Sequence, residues 1–408
     1  MSNIGFLSLP ERKRYTMRSS RLHSFRALLV VAIAASTGAY GFVGAVSALA
    51  TKAPFHVSQI LRGTSLHHTY TSTGSTATHT ETLSRPDDIS RWGNDLFVGF
   101  QNGVGAQGEA STDGNLDSTV VELTLGGKVV AQWDVRGKTD GLTADPGLGV
   151  LATVNEDAHS ALYLIRPSAP ASSAVTRYSY SESLPHEGGT DAISVENGQI
   201  LISASAPGTA GTAAPQPTYP AGYSVKLDAT SKVARITPLF FDESSATVAN
   251  KGTSTYLTST KLALTDPDSS EIVPSPGPRF AGDFMLTSQG DKEQIYVSGA
   301  GTAHQSLRVL SLSQSVDDTA WPTDTSGSLY STDSTGDAVD VVTGRFVIDQ
   351  PIVAVTPCGA NGSPSTCPAP KFPANYLATL NSNTGRVTRV AITGATYVPG
   401  GGLAFVAR

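Results

Sequence analysis

The sequence predicts an all-β chain closed into a β-propeller, with seven blades as the first count and six as the alternative, preceded by an N-terminal signal helix. Three observations lead there. Of 408 residues only 15% are charged, while 40 are Gly and 24 are Pro; an ordinary soluble domain carries about 25% charged residues, and strong helix formers such as Lys and Met are scarce. Beyond residue 57 the chain reads as short runs of β-branched and aromatic residues between Gly, Pro, Asn and Asp clusters. DLFVGF (95–100), ALYLIR (161–166) and QIYVSG (294–299) are examples, and no amphipathic helix of three turns interrupts them. Finally, one phrase returns with a period near 50 residues, the length of a four-stranded blade.

The first fifty residues read as an address. Residues 1–26 hold Arg12, Lys13, Arg14, Arg18, Arg21 and Arg26 against the single acid Glu11, and residues 27–50 carry no charge. The run ends in Ala48-Leu49-Ala50, a small-x-small pattern of the kind that precedes signal-peptide cleavage. Residues 1–50 are therefore expected to be an export signal, with Met17 as a second start, or an uncleaved anchor, because 24 uncharged residues can span a bilayer. The expected location is secreted or extracytoplasmic, with membrane attachment only through residues 27–50. Loss of 1–50 moves the net charge from −6 to −11, which speaks against a nucleic-acid partner. Cys358 and Cys367, in CGANGSPSTC, are expected to form one local disulfide in such a compartment.

Residues 51–408 are expected to form one propeller domain. The recurring phrase is PDDISRWGNDLFVGF (86–100), TDGLTADPGLGVLATV (139–154) and TDAISVENGQILISA (190–204), which aligns Asp88, Asp140 and Asp191 at spacings of 52 and 51 residues. Asp242 falls another 51 on, and weaker echoes carry Asp283 and Asp318. VPGGGLAFV (398–406) reads as inner strands of a last blade. Its outer strands would come from 67–84, so that no sheet edge stays open. Trp92, Trp133 and Trp321 are expected as wedges between blades.

GSLYSTDSTGDAVDVVTG (327–344), together with ENGQILISA and GNDLFVGF, resembles the repeat phrase of NHL-type and SMP-30/gluconolactonase-like propellers. The resemblance implies a propeller with a polar central channel. The metal-binding phrases of the lactonases do not map onto this chain; TDGL (139–142) and NED (155–157) are partial echoes.

Acids at the starts of inner strands would ring one end of the channel. Asp88, Asp140, Asn155 and Asp191 are the expected oxygen ligands for Ca²⁺ or another divalent cation. The alternative is that each Asp accepts backbone N–H bonds in its own turn. Three segments break the repeat: TVNEDAHS (153–160), LPHEGGTD (184–191) and LALTDPDSSEIVP (262–274). From the first two, Glu156, Asp157, His186 and Asp191 form the candidate catalytic set, a general base beside a metal-activated water. Asp113, Asn115 and Asp117 have the 1,3,5 spacing of a calcium loop but lack its later Gly and Glu. There is no G-x-S-x-G, phosphate loop or C-x-x-C. The expected function is an extracellular, monomeric binding or scaffold protein for a small molecule, protein or polysaccharide, with a divalent cation at the channel mouth. The alternative is a metal-dependent, lactonase- or esterase-like hydrolase.

Overall fold

The computed structural model describes residues 55–72, 74–156, 159–208, 218–275, 279–357 and 374–408. The expected signal or anchor segment, Asp157 and both cysteines, with the disulfide expected of them, therefore lie outside the described residues. Strands dominate, and helix is confined to single turns among the described residues. None of these is long and apolar enough to cross a membrane.

The strands read as nearly continuous apolar runs because each sheet is covered on both faces. Asp95–Phe100 shows the logic. Leu96, Val98 and Phe100 enter the core shared with the last blade, whereas Phe97 points the other way, into the core shared with the second. Period-two alternation thus distributes side chains between two apolar interfaces instead of between core and water.

Six blade sheets form in this way among the described residues. The first is Pro86–Trp92, Asp95–Phe100, Asp117–Thr124 and Val129–Arg136. The second runs from Lys138–Asp145 to Val175–Tyr180, and the third from Ile193–Glu196 to Val233–Phe241. Their outer strands pair in parallel, Ser179 with Val233 and Tyr180 with Ala234, which joins the two blades into one sheet. The fourth runs from Pro267–Ile272 to Ser306–Ser311, and the hairpin Ser245–Val248/Ser259–Lys261 extends its outer edge.

The last two blades are interlaced. Val316–Ala320 begins the fifth, but the chain then leaves to build the hairpin Ser328–Asp333/Ala338–Thr343 in the sixth. It returns to complete the fifth with Ile352–Val355, Tyr376–Asn381 and Arg386–Arg389. The sixth is closed by Leu403–Val406 inside and Phe55–Arg62 outside, with Ile392–Gly394 beyond. The six innermost strands touch their neighbours in a closed cycle, Leu403–Val406 meeting Pro86–Trp92. One apolar core fills each of the six blade interfaces.

Two expectations change. The blade count is six, not seven, because two hairpins outside the repeat consume chain length. Ser245–Lys261 stretches the step between the third and fourth inner strands, and His67–Thr71/Thr78–Thr82 pairs only with itself. Velcro closure by both chain ends does occur, but its outer strand is Phe55–Arg62 rather than 67–84. Trp321 is buried in the core between the fourth and fifth blades. Trp92 and Trp133 pack against the one between the first and second.

The His67–Thr82 hairpin is fastened by a buried imidazole. His68 Nε2 lies 2.9 Å from Glu81 Oε1 and Nδ1 lies 3.3 Å from Asp134 Oδ1 on the first blade. Asn115 donates to Glu81 at 2.7 Å. Burial alone would lower the His68 pKa, but Asp134 and Glu81 outweigh it and hold the imidazole above its usual value. Asn115 and Asp117 from the calcium-like spacing serve this network: Asn115 Oδ1 accepts the Asp117 N–H at 2.8 Å.

Candidate functional site

Four of the six blades present an irregular start to the channel. Against its partner strand, the innermost strand carries one extra residue between Pro86 and Ile89, Thr139 and Leu142, Pro267 and Ser269, and Val316 and Thr319. Such a bulge re-aims a side chain that regular pairing would send into a neighbouring blade. The bulge places Asp87, Asp140, Asp268 and Asp317 in equivalent positions, and Asp191 and Gly401 stand two residues before the first paired residues of the third and sixth inner strands, Ile193 and Leu403.

The doublets at 87–88 and 317–318 contain two kinds of acid. Asp88 accepts the N–H of Ile89 at 2.7 Å and that of Leu142, on the next blade, at 2.6 Å. Asp318 repeats this with Thr319 and Leu403, both at 2.6 Å. Both are inter-blade fasteners with their oxygens occupied by backbone donors. Asp88 thus matches the turn-acceptor alternative in the sequence reading rather than an open metal ligand. Asp242, aligned by period, accepts the Tyr219 and Glu243 N–H groups after the third blade's outer strand. Asp283 pairs with Arg308.

Three of these acids, Asp140, Asp87 and Asp191, act on one ammonium. Lys138 Nζ is 2.5 Å from Asp140 Oδ1, which also accepts from Gln101 Nε2 at 2.9 Å. Asn155 Nδ2 bridges two blades, donating to Asp140 Oδ2 at 2.7 Å and to Asp191 Oδ1. This bridge needs Gly189: a Cβ there would fall 1.2 Å from Asn155 Oδ1. Gly141 permits a similar approach, since its Cβ would stand 2.0 Å from the Asp191 carbonyl oxygen. Across the ring, Gln289 Nε2 donates to Asp268 Oδ2 at 3.0 Å.

Charge in this space is poorly compensated. Burial first, and then neighbouring carboxylates, push Asp87, Asp191 and Asp317 well above the ordinary range. Burial also raises Asp268, against opposing hydrogen bonding with Asp317, and takes Asp266 up to about 7. Desolvation would lower Lys138, but Asp140 and Asp87 overcome it and hold the ammonium charged. The mouth is a cavity of about 480 Å³. Its walls include Asp87, Lys138, Asp140, Asp268, Gln289 and Asp317. Among the described residues no three carboxylate, imidazole or thiol groups are grouped as a metal would require.

The structure thus brings Asp140, Asn155 and Asp191 together, with Asp88 beside them as a fastener. Glu156 and His186 do not line the cavity. The Glu156 side chain lies against the Gly108 turn. His186, at φ 59°, packs its ring 4.4 Å from Tyr219 in a separate surface groove. Asp157 lies outside the described residues. Sequence reasoning missed Asp87, Lys138, Asp317, Gln101 and Gln289; it singled out Asp268, with Asp266 and Glu271, only as part of the interrupting segment 262–274. The signal for two of them was present in the acid doublets, where alignment favoured the second member and the bulge turns the first inward.

No family model matches the chain, and no curated protein matches it. Solved structures with a similar architecture are gluconolactonase-like and streptogramin-lyase propellers and a protein of unknown function. The last, from Bacteroides caccae, is 8% identical, with 87% of this chain and 100% of that one covered at a TM-score of 0.44. The periplasmic gluconolactonase of Pseudomonas aeruginosa is 11% identical over 87% of this chain and 99% of its own, at 0.41. Streptogramin B lyase is 12% identical over 83% and 91%, at 0.37. The strand order and the closed cycle of inner strands make the described chain an all-β propeller.

Proposed function

We propose that this chain is an exported binding protein whose channel mouth takes a small cationic ligand. One observation carries the reading: four aspartates at equivalent blade positions, Asp87, Asp140, Asp268 and Asp317, line a cavity whose lining holds a single ammonium, Lys138. Buried carboxylates without counter-charge are costly, and a bound cation relieves that cost. A divalent cation and an organic ammonium are the two classes with this chemistry. The Arg-rich start and the uncharged residues 27–50 support export. The hydrolase reading has less support, because Glu156 and His186 stand outside the cavity.

The test is thermal unfolding of the full chain at pH 7.5 and fixed ionic strength, after chelator treatment, with CaCl₂, MgCl₂ or 1,4-diaminobutane added against NaCl. Binding to the native state alone stabilises by about 2.7 kcal/mol at a hundred times Kd. A melting temperature that none of the three raises above the NaCl control would end the reading.

A further inference from the structure

Three Asn-Gly pairs occur in the chain, at 102–103, 197–198 and 361–362; the third lies outside the described residues. Such a pair is chemically labile. The backbone nitrogen after an asparagine can attack the side-chain carbonyl carbon, and a glycine there has no Cβ to obstruct the approach. The two described pairs share their backbone hand: Asn102 and Gly103 have φ of 51° and 77°, Asn197 and Gly198 of 50° and 80°. What separates them is the surroundings of the side-chain amide.

Asn102 is 3% exposed and held on both sides of its amide. Its Nδ2 donates to the Asp117 carbonyl at 3.2 Å and to Thr119 Oγ1 at 3.0 Å, and its Oδ1 accepts the Ser84 N–H at 3.2 Å. Turning this amide toward Gly103 N breaks those bonds together and leaves buried groups unsatisfied. Asn197 is free of such restraints. It opens the two-residue turn between Ile193–Glu196 and Gln199–Ser203, where Glu196 pairs with Gln199; Asn-Gly with two positive φ angles marks a type I′ hairpin turn. Both turn residues are exposed, and no atom lies within 4 Å of the place a Gly198 Cβ would take. The Asn197 side chain makes no hydrogen bond among the described residues. An exposed turn of this kind opens locally at little cost.

We propose that Asn197 is a site of spontaneous covalent modification, closing on Gly198 N, while the fold protects the same dipeptide at Asn102. The Gly198 N–Cγ bond forms and the Cγ–Nδ2 bond breaks. The amide group leaves as ammonia with the proton that Gly198 N gives up, and a succinimide remains. Water then reopens the ring. Cleavage of the new N–Cγ bond gives aspartate; cleavage of the original peptide bond gives isoaspartate, with the backbone rerouted through the side chain. One water enters, one ammonia leaves, and either product carries an added negative charge. Isoaspartate also lengthens the turn by one backbone atom, which removes the two-residue geometry that sets the Glu196–Gln199 register.

The test is incubation of the full chain at pH 7.5 and 37 °C, natively and in concentrated urea, until Asn102 in urea is half converted. After acid digestion, mass spectrometry follows ammonia loss and the gain of about one dalton in the peptides that hold residues 102 and 197. In urea the two sites should convert at comparable rates. In the native chain Asn197 should convert at least about tenfold faster than Asn102, the one opening locally and the other only with its buried network. Labelling by an isoaspartyl methyltransferase should then appear at residue 197. Native rates that are equal, or faster at Asn102, overturn the proposal. So does an Asn197 that stays intact in the native chain. The outcome does not depend on what the channel mouth binds.

Discussion

Raising the pH from 5 to 8 should weaken the fold, and Asp318 sets the scale. Its side chain belongs to a residue only 4% exposed. Burial pushes its pKa to about 7, although the N–H groups of Thr319 and Leu403 favour the ionised form. In the unfolded chain an aspartate titrates near 3.9. A folded pKa above the unfolded one means that the native state keeps a proton the unfolded state has released. Stability is therefore fully present below about 4 and is lost as pH rises through about 7. At 1.36 kcal/mol per unit, the whole displacement is worth about 4 kcal/mol, of which about 3 falls between pH 5 and 8. Asp87, Asp191 and Asp317 act in the same direction. The assay is urea unfolding at pH 5, 6, 7 and 8, without divalent ions and at one ionic strength, on the parent and on Asp318→Asn. The variant loses a backbone acceptor, a cost of about 1–3 kcal/mol at every pH, but its stability should decline less steeply. A parent whose stability is flat or rising over this range refutes the reasoning, as does a variant with the parent's full slope.

Two further outcomes follow from the same geometry. His68→Gln should flatten the part of the profile that belongs to the N-terminal hairpin. The imidazole's pKa is raised by Asp134 and Glu81 against burial, so its contribution is present below about 6.5 and fades as pH climbs through the raised value. Amide hydrogen exchange in residues 67–82 at pH 6 and 8 reads this, and equal pH sensitivity in parent and variant would contradict it. Gly189→Ala should expel the Asn155 side chain from between Asp140 and Asp191, at a cost of about 2–4 kcal/mol for the lost charge-assisted bonds. Denaturant midpoints measure the loss; a change below about 0.5 kcal/mol would mean that Asn155 does not bridge the blades.

Much of the architecture was legible because blade strands obey local rules. DLFVGF and ALYLIR announce strands through β-branched and aromatic content, and the 52- and 51-residue steps mark successive blades. The count failed where a long-range choice intervened. Nothing local distinguishes the Ser245–Lys261 hairpin from blade strands, and its presence placed Asp242 in a position that belongs to Asp268. In the site, Asp140, Asn155 and Asp191 were found because they lie within recognisable repeat phrases or their interruptions. Lys138 reads as an ordinary turn lysine until the ring closes around it. Gln101 and Gln289 are neutral amides whose importance comes only from partners on other blades. Glu156 and His186 were grouped by their nearness in sequence to channel residues, but a strand end and a positive-φ turn send them elsewhere.

The interlacing of the last two blades has a consequence for how the chain reaches its native state. Phe55–Arg62 cannot pair until Ala338–Thr343 has been made, and the sixth blade still lacks its inner strand until Leu403–Val406 arrives. Contacts between segments so distant in sequence are slow to form, and unpaired strand edges invite association with other chains. During synthesis, Phe55–Arg62 must wait until the ribosome has passed Ala338–Thr343. Once the ring is shut, the fifth blade cannot peel away without pulling on the hairpin that the same stretch of chain contributes to the sixth. The same topology that delays maturation therefore opposes stepwise dismantling of the finished ring.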